Sequence, residues 1–187
     1  MNDPIAPAIT QADAFPISFR FATADDVPAL VALVTRAYRG DASRVGWTTE
    51  ADLLDGGRIA PEVLADDIRR PHSRVLVAGY RGQAVACAHV AIEDDAAYFG
   101  MFAVSPELQG QRVGDRVLKE AERIAREDFA QARMRMTVLD LREELIAWYL
   151  RRGYRRTGIT KPFPYGDTRF GIPRRDDLRF EILEKTL

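Results

Sequence analysis

Apolar positions along this chain recur with two different periods, and the switches between them lay out its elements. Ile17 to Phe21 alternates as a strand should, after which Thr23 with Asp26 makes a capping-box-like start and Pro28 sits in the first turn of a helix. Val27, Leu30, Val31, Val34 and Tyr38 fall on one face of that helix. Pro61 opens a second helix, with Val63, Leu64 and Ile68 facing inward. Arg74 to Tyr80 and Gln83 to Ile92 are β-rich runs joined by a tight turn at Arg81-Gly82, and Glu93-Asp94-Asp95 turns the chain into a third run, Ala96 to Val104. Beyond a polar turn, Val113, Val117, Leu118, Ala121, Ile124 and Ala125 return at helical spacing. Met134, Met136 and Val138 alternate in a strand over 133–138, and Leu141 to Arg152 reads as a helix stopped by Gly153. Tyr154 to Thr160 and Leu178 to Lys185 supply the last two strands.

The order is strand, two helices, three strands, helix, strand, helix, two strands, which predicts a mixed α/β (α+β) domain over 16–187. The strand at 96–104, the helix after it and the strand at 133–138 form a crossover unit, so these two strands are expected as parallel neighbours. Residues 1–15 lack periodicity, carry two prolines and read as a flexible tail. Two further segments carry no regular period. Arg39 to Ala60 is rich in Gly, Asp and Arg and reads as a loop, in which Thr49 to Asp55 could make a short helix; Trp47 either covers an acceptor pocket or pins a surface loop to the core. Lys161 to Asp177 reads as an ordered loop beside the pocket, where Arg169, Arg174 and Arg175 either bind a substrate anion or pair with Asp167, Asp176 and Asp177.

At 187 residues and 47% hydrophobic, the chain can bury a core without disulfides. Its 27 basic and 28 acidic residues give a net charge of -1, so no global field draws it to nucleic acid or to an anionic membrane, and any polyanion must be held by a local site. No apolar run approaches the roughly 18 residues of a membrane span, and a cytoplasmic protein is expected. Cys87, the single cysteine, lies in an apolar strand pattern and reads as a buried structural thiol. His72 and His89 lack partners at metal-ligand spacing, so no metal is expected, and no Gly-x-Ser-x-Gly turn supports a Ser-His-Asp triad.

The candidate chemistry sits between 96 and 128. A strand that ends in the turn Gln109-Gly110-Gln111-Arg112-Val113-Gly114 and feeds a helix aims several N–H groups, and the positive end of the helix dipole, at one spot. This turn resembles the acyl-CoA-binding loop of the GNAT acyltransferases, Gln/Arg-x-x-Gly-x-Gly/Ala, with Arg112 standing at one glycine position. Arg112 either keeps a right-handed backbone and swings its guanidinium onto the phosphates or crowds the cofactor. A second stretch, Ala147 to Tyr154, resembles that family's Phe-Tyr-x-x-x-Gly-Phe signature, in which the tyrosine hydroxyl lies beside the thioester sulfur.

The resemblance covers roughly residues 17–186 and implies the GNAT fold: a mostly antiparallel sheet with a splayed parallel pair and flanking helices. It implies an acyl-CoA-dependent N-acyltransferase with acetyl-CoA as co-substrate and a small-molecule or peptide amine as acceptor. The backbone of Phe102, Ala103 and Val104 would meet the pantetheine arm, the amides from Gln109 through Asp115 would surround the pyrophosphate, and Tyr149 would be the general acid. Tyr98 stands where histone-type relatives place a glutamate, which leaves Glu93, acting through water, as a candidate base. Trp47, Glu93 and Tyr98 are the acceptor-side candidates. Backbone N–H groups at the end of the 96–104 strand would serve the oxyanion. Rival readings are a non-catalytic CoA-binding or regulatory module of the same fold and a small α/β binding protein that never meets CoA; a homodimer is left open.

Overall fold

The computed structural model describes residues 15–168 and 171–187. Strand β1 (Ser18–Phe21) leads through a 3-10 turn at Ala24–Asp26 into helix α1 (Val27–Tyr38), and the expected capping contact forms, with the Thr23 amide donating to the Asp26 carboxylate at 2.8 Å. Arg20 grips the same carboxylate at 2.6 and 2.7 Å, which holds Asp26 down at about 2. After a short helix α2 (Gly40–Ser43) and strand β2 (Leu54–Asp55) come helix α3 (Pro61–Arg69) and the meander β3 (Ser73–Tyr80), β4 (Gln83–Glu93) and β5 (Ala96–Val104). Arg81 and Gly82 both take positive φ, 49° and 78°, as a tight hairpin turn between twisted strands requires. Helix α4 (Val113–Arg123) runs on as a π-turn over Ile124–Asp128, followed by β6 (Arg133–Leu139), α5 (Glu143–Leu150), β7 (Arg155–Pro162), β8 (Ile172–Pro173) and β9 (Arg179–Thr186).

Seven strands form one mixed sheet in the order β1-β3-β4-β5-β6-β9-β7. One face buries Leu30, Leu33, Val34 and Ala37 of α1 and Leu64 of α3 against Val75, Val77 and Cys87. The other receives α4 through Val113, Val117, Leu118 and Ala121, and α5 through Leu145, Ile146 and Tyr149. Burial pushes the Cys87 thiol up to about 12, so it stays protonated and inert in the core. Leu33 and Ala37 widen the buried stripe of α1 by one row beyond the positions that the sequence pattern marks.

The parallel pair β5 and β6 is joined only at Ala97↔Met134 and Tyr98↔Arg135, and beyond Tyr98 the two strands part. A bulge in β5 falls at the same place. Cys87 pairs with Ala103 and His89 with Gly100, so Met101 and Phe102 oppose the single residue Ala88, and Met101 takes a φ of 46°. The extra residue switches the faces of the strand. Ala97 and Phe99 face α4 before the bulge, whereas Met101 and Ala103 face α1 after it, and Phe102 and Val104 turn toward α4.

Two expectations need correction, and one option is not realised. No helix forms at Thr49 to Asp55: Leu54, buried beside Leu139, Phe163 and Leu178, pairs in β2 with β8, and this tertiary partner overrides the local helical preference. The same pairing makes part of the Lys161 to Asp177 segment a strand, with Arg174 held by Asp55 at 2.6 and 2.8 Å and Arg175 by Asp177 at 2.6 Å. Neither arginine is offered to a substrate; Arg169 and residues 1–14 of the expected tail lie outside the described residues. Phe15 belongs to the packed body, its ring 4.3 Å from that of Tyr80. Among the described residues, no helix is long and apolar enough to cross a membrane.

Candidate active site

Past β5, a 3-10 turn at Pro106–Leu108 brings the chain to Gln109, and Gly110 and Arg112 then take left-handed backbones with φ of 82° and 60°. These reversals turn successive N–H groups to one side, as in anion-binding nests. The amides of Gly110, Arg112, Val113, Gly114 and Asp115 donate to no protein acceptor among the described residues, as the first turn of a helix dictates. Two members of the expected set are engaged elsewhere. The Gln109 amide donates to the Pro106 carbonyl at 3.3 Å and the Gln111 amide to the Leu108 carbonyl at 3.4 Å. Arg112 does not keep a right-handed backbone: it adopts the conformation of the glycine it replaces, at a cost of about 1 kcal/mol, and its exposed side chain stands at the cleft rim.

The Gln109 side chain acts as a staple. Its Oε1 accepts from the Trp47 amide at 2.9 Å and its Nε2 donates to the Val104 carbonyl at 3.3 Å, tying the 39–60 loop to the turn. Gly114 sets how closely α4 approaches the sheet, because a Cβ there would lie 3.2 Å from Phe102 Cζ and 3.7 Å from Trp148 Cζ2. Burial alone would raise the Asp115 carboxyl, but Lys119 and Arg152, each at 3.0 Å, outweigh it and keep the group ionised.

From this turn a cleft of about 420 Å³ opens along the end of β5, within the size range of small-molecule sites. Phe102, Ala103 and Val104 line one wall, and Leu145, Trp148, Arg151 and Arg152 the other. Tyr38, Trp47, Thr48 and Arg142 complete the lining. Trp47 is 44% exposed, so it lines the cleft and does not pin its loop in the core. Trp148, packed against the core, also faces the cleft, with the Arg152 guanidinium 3.5 Å over its ring.

Tyr149 stands one layer back. It is 4% exposed, packed among Phe102, Trp148 and Tyr154 at ring distances of 6.5, 5.0 and 5.7 Å, and does not line the cleft. Burial drives its phenol well above its ordinary value, opposite to the lowering that would ease proton donation. Val113 and Gln111 are likewise off the cleft wall, Val113 with its side chain in the core and only its amide on offer. Two carbonyls expected to face a pantetheine arm already accept from the protein, Phe102 from the Tyr38 hydroxyl and Val104 from Gln109.

Glu93 and Tyr98 fall on the α3 side of the sheet and outside the cleft wall. Glu93 is exposed at the β4–β5 turn, whereas the Tyr98 ring folds back over Gly100, where any Cβ would run into its hydroxyl. Burial raises the Tyr98 phenol, with Arg58 opposing. Behind it, His89 Nε2 meets Ser73 Oγ at 2.8 Å, while that hydroxyl donates to the Asp67 carbonyl at 2.5 Å. The Ser73 proton is thus committed to the backbone, and burial holds His89 neutral at about 4. A buried group that sequence reasoning missed lies nearby. Glu50 is surrounded by Arg39, Arg58 and Arg142, residues with no spacing in the sequence that could have drawn them together.

The model of the acetyltransferase (GNAT) family matches residues 32–159, more than half of the chain. The chain belongs to the GNAT acetyltransferase family. No curated protein matches it in sequence. Among solved structures, the ribosomal-protein-S18-alanine N-acetyltransferase of Escherichia coli is 16% identical with a TM-score of 0.67, over 91% of this chain and 94% of that one. A GNAT family acetyltransferase of Elizabethkingia anophelis with acetyl-CoA bound is 14% identical with a TM-score of 0.63, over 91% and 98% of the two chains. The PaiA N-acetyltransferase of Thermoplasma acidophilum in complex with coenzyme A is 15% identical with a TM-score of 0.63, over 92% and 100%. At such identities these likenesses concern the fold. As a GNAT protein the chain is an N-acetyltransferase.

Proposed function

We propose that this GNAT enzyme transfers the acetyl group of acetyl-CoA to the primary amine of a small molecule or peptide by direct attack, in the cytoplasm. The observation that carries the reading is the set of amides at Gly110, Arg112, Val113, Gly114 and Asp115, without acceptors among the described residues, beside a cleft. They fit a diphosphate because N–H donors and the helix dipole favour negative charge together. Arg112 adds a flexible cation at the rim. The Phe102–Val104 edge, unpaired on its β6 side, gives an amide-bearing arm a strand to lie along.

In the reaction, the amine nitrogen forms the new C–N bond as the C–S bond breaks, and the leaving thiolate takes a proton. Tyr149 is the proposed donor: burial keeps the phenol protonated, and a side-chain motion of Phe102 or Trp148 would bring it to the sulfur. Glu93, through water, is the proposed acceptor of the amine proton.

Two measurements test the reading. Acetyl-CoA at one hundred times its Kd should stabilise the protein by about 2.7 kcal/mol in a thermal-shift assay. Tyr149→Phe should then lower kcat at least tenfold with CoA binding unchanged; an unchanged kcat removes Tyr149 from the role, and no stabilisation removes the phosphate seat.

A further inference from the structure

Beside the cleft, the guanidiniums of Arg39, Arg58 and Arg142 gather around the carboxylate of Glu50. Glu50, 5% exposed, accepts from Arg39 Nη1 at 2.5 Å and from Arg142 Nη1 at 2.9 Å, while Arg58 Nε stands 3.6 Å away. Arg58 and Arg142 have no other carboxylate partner among the described residues. Arg142 lines the cleft, and its side chain is only 8% exposed; its Nη2 donates to Thr48 Oγ1 at 2.9 Å, but its Nε has no acceptor among the described residues. Both guanidiniums lie over the Tyr38 ring, at 5.0 and 5.4 Å, and the Tyr38 hydroxyl donates to the Phe102 carbonyl in the β5 bulge. Arg58 and Arg142 share the one Glu50 carboxylate, and the Arg142 Nε and the partly exposed Arg58 fork keep donor capacity for a second anion.

We propose that the acceptor amine carries an anionic group, a carboxylate or an oxoanion of similar size, and that Arg58 and Arg142 bind it and so aim the amine at the Phe102 bulge. The proposal rests on the acyltransferase reading. The same cations would suit a carboxylate at the far end of a longer acyl chain. The acceptor is the source the layout favours, because Arg58 does not line the cleft but reaches Glu50 from the loop before α3, on the Tyr98 side of the sheet.

The test follows thiol release from acetyl-CoA with α- and ω-amino acids, their carboxamides, their decarboxylated amines and spermidine, and repeats the set with succinyl-CoA. At least one amino acid should be used with a kcat/KM tenfold or more above that of its carboxamide. Arg58→Gln should abolish that advantage through KM while the Kd for CoA stays unchanged, and Arg58→Lys should restore part of it. Equal or better use of the carboxamides, transfer to no amine while CoA still binds, or a preference for succinyl-CoA with no preference among amines overturns the proposal. Failure of CoA to bind overturns the acyltransferase reading itself, a result that the thermal-shift assay reads separately.

Discussion

Where the cleft meets the start of α4 the groups on offer are main-chain amides from one short turn, residues 110–115, whereas the cluster beside the cleft is made of the side chains of Arg39, Glu50 and Arg58 and of Arg142, far along the chain. The first kind of site follows from local backbone geometry: two left-handed residues and a helix start expose N–H groups whatever the side chains are. The second exists only once β5, α1, α5 and the 39–60 loop have been brought together. A main-chain seat therefore tolerates substitution, as Arg112 at a glycine position shows, while the side-chain cluster fails if one member is lost.

The largest expected difference is in stability. Glu50→Ala leaves guanidiniums buried without their anion and should cost about 3 to 5 kcal/mol in chemical denaturation at pH 7; a loss below about 1 kcal/mol would mean that the cluster is solvated and unlike a buried network.

Next comes acid sensitivity beneath the acceptor side. His89 is lowered from 6.5 to about 4, so the unfolded chain takes up the proton first, and its contribution is complete above about pH 6.5 and lost as the pH falls toward 4. At one pKa unit per 1.36 kcal/mol this is up to about 3 kcal/mol. His89→Gln should flatten the profile over that window, and an unflattened profile would place the sensitivity elsewhere.

The smallest effect belongs to the main-chain end. Arg112→Gly relieves the left-handed strain, so stability should hold or rise by up to about 1 kcal/mol, while CoA affinity falls about fivefold with the lost charge-assisted contact. An unchanged Kd would show that the guanidinium does not reach the phosphates.

The same contrast explains what could be read from the sequence. The meander, the crossover unit and the turn before α4 rest on periods and turn residues within about 30 positions, so Ala96 to Gly114 revealed both the strand and its amide-rich end. The bulge at Met101 left no mark, because the apolar run around it is indifferent to which face each residue takes. Nor could the Glu50 cluster be seen: Arg39, Glu50 and Arg58 look like the charges of any solvated loop until Tyr38 and Arg142 close over them. Tyr149 is a candidate only through the resemblance of Ala147 to Tyr154 to a family signature, and nothing in that stretch tells that Phe102 and Trp148 stand in front of it.

The most direct test of the amide seat is an amide NMR titration of the nitrogen-15-labelled protein with CoA. The signals of Gly110, Arg112, Val113, Gly114 and Asp115 should shift together and gain protection from exchange, with those of Gln109 and Gln111, already bonded within the turn, moving less. Saturable binding that leaves all five unmoved would contradict a diphosphate held at the start of α4.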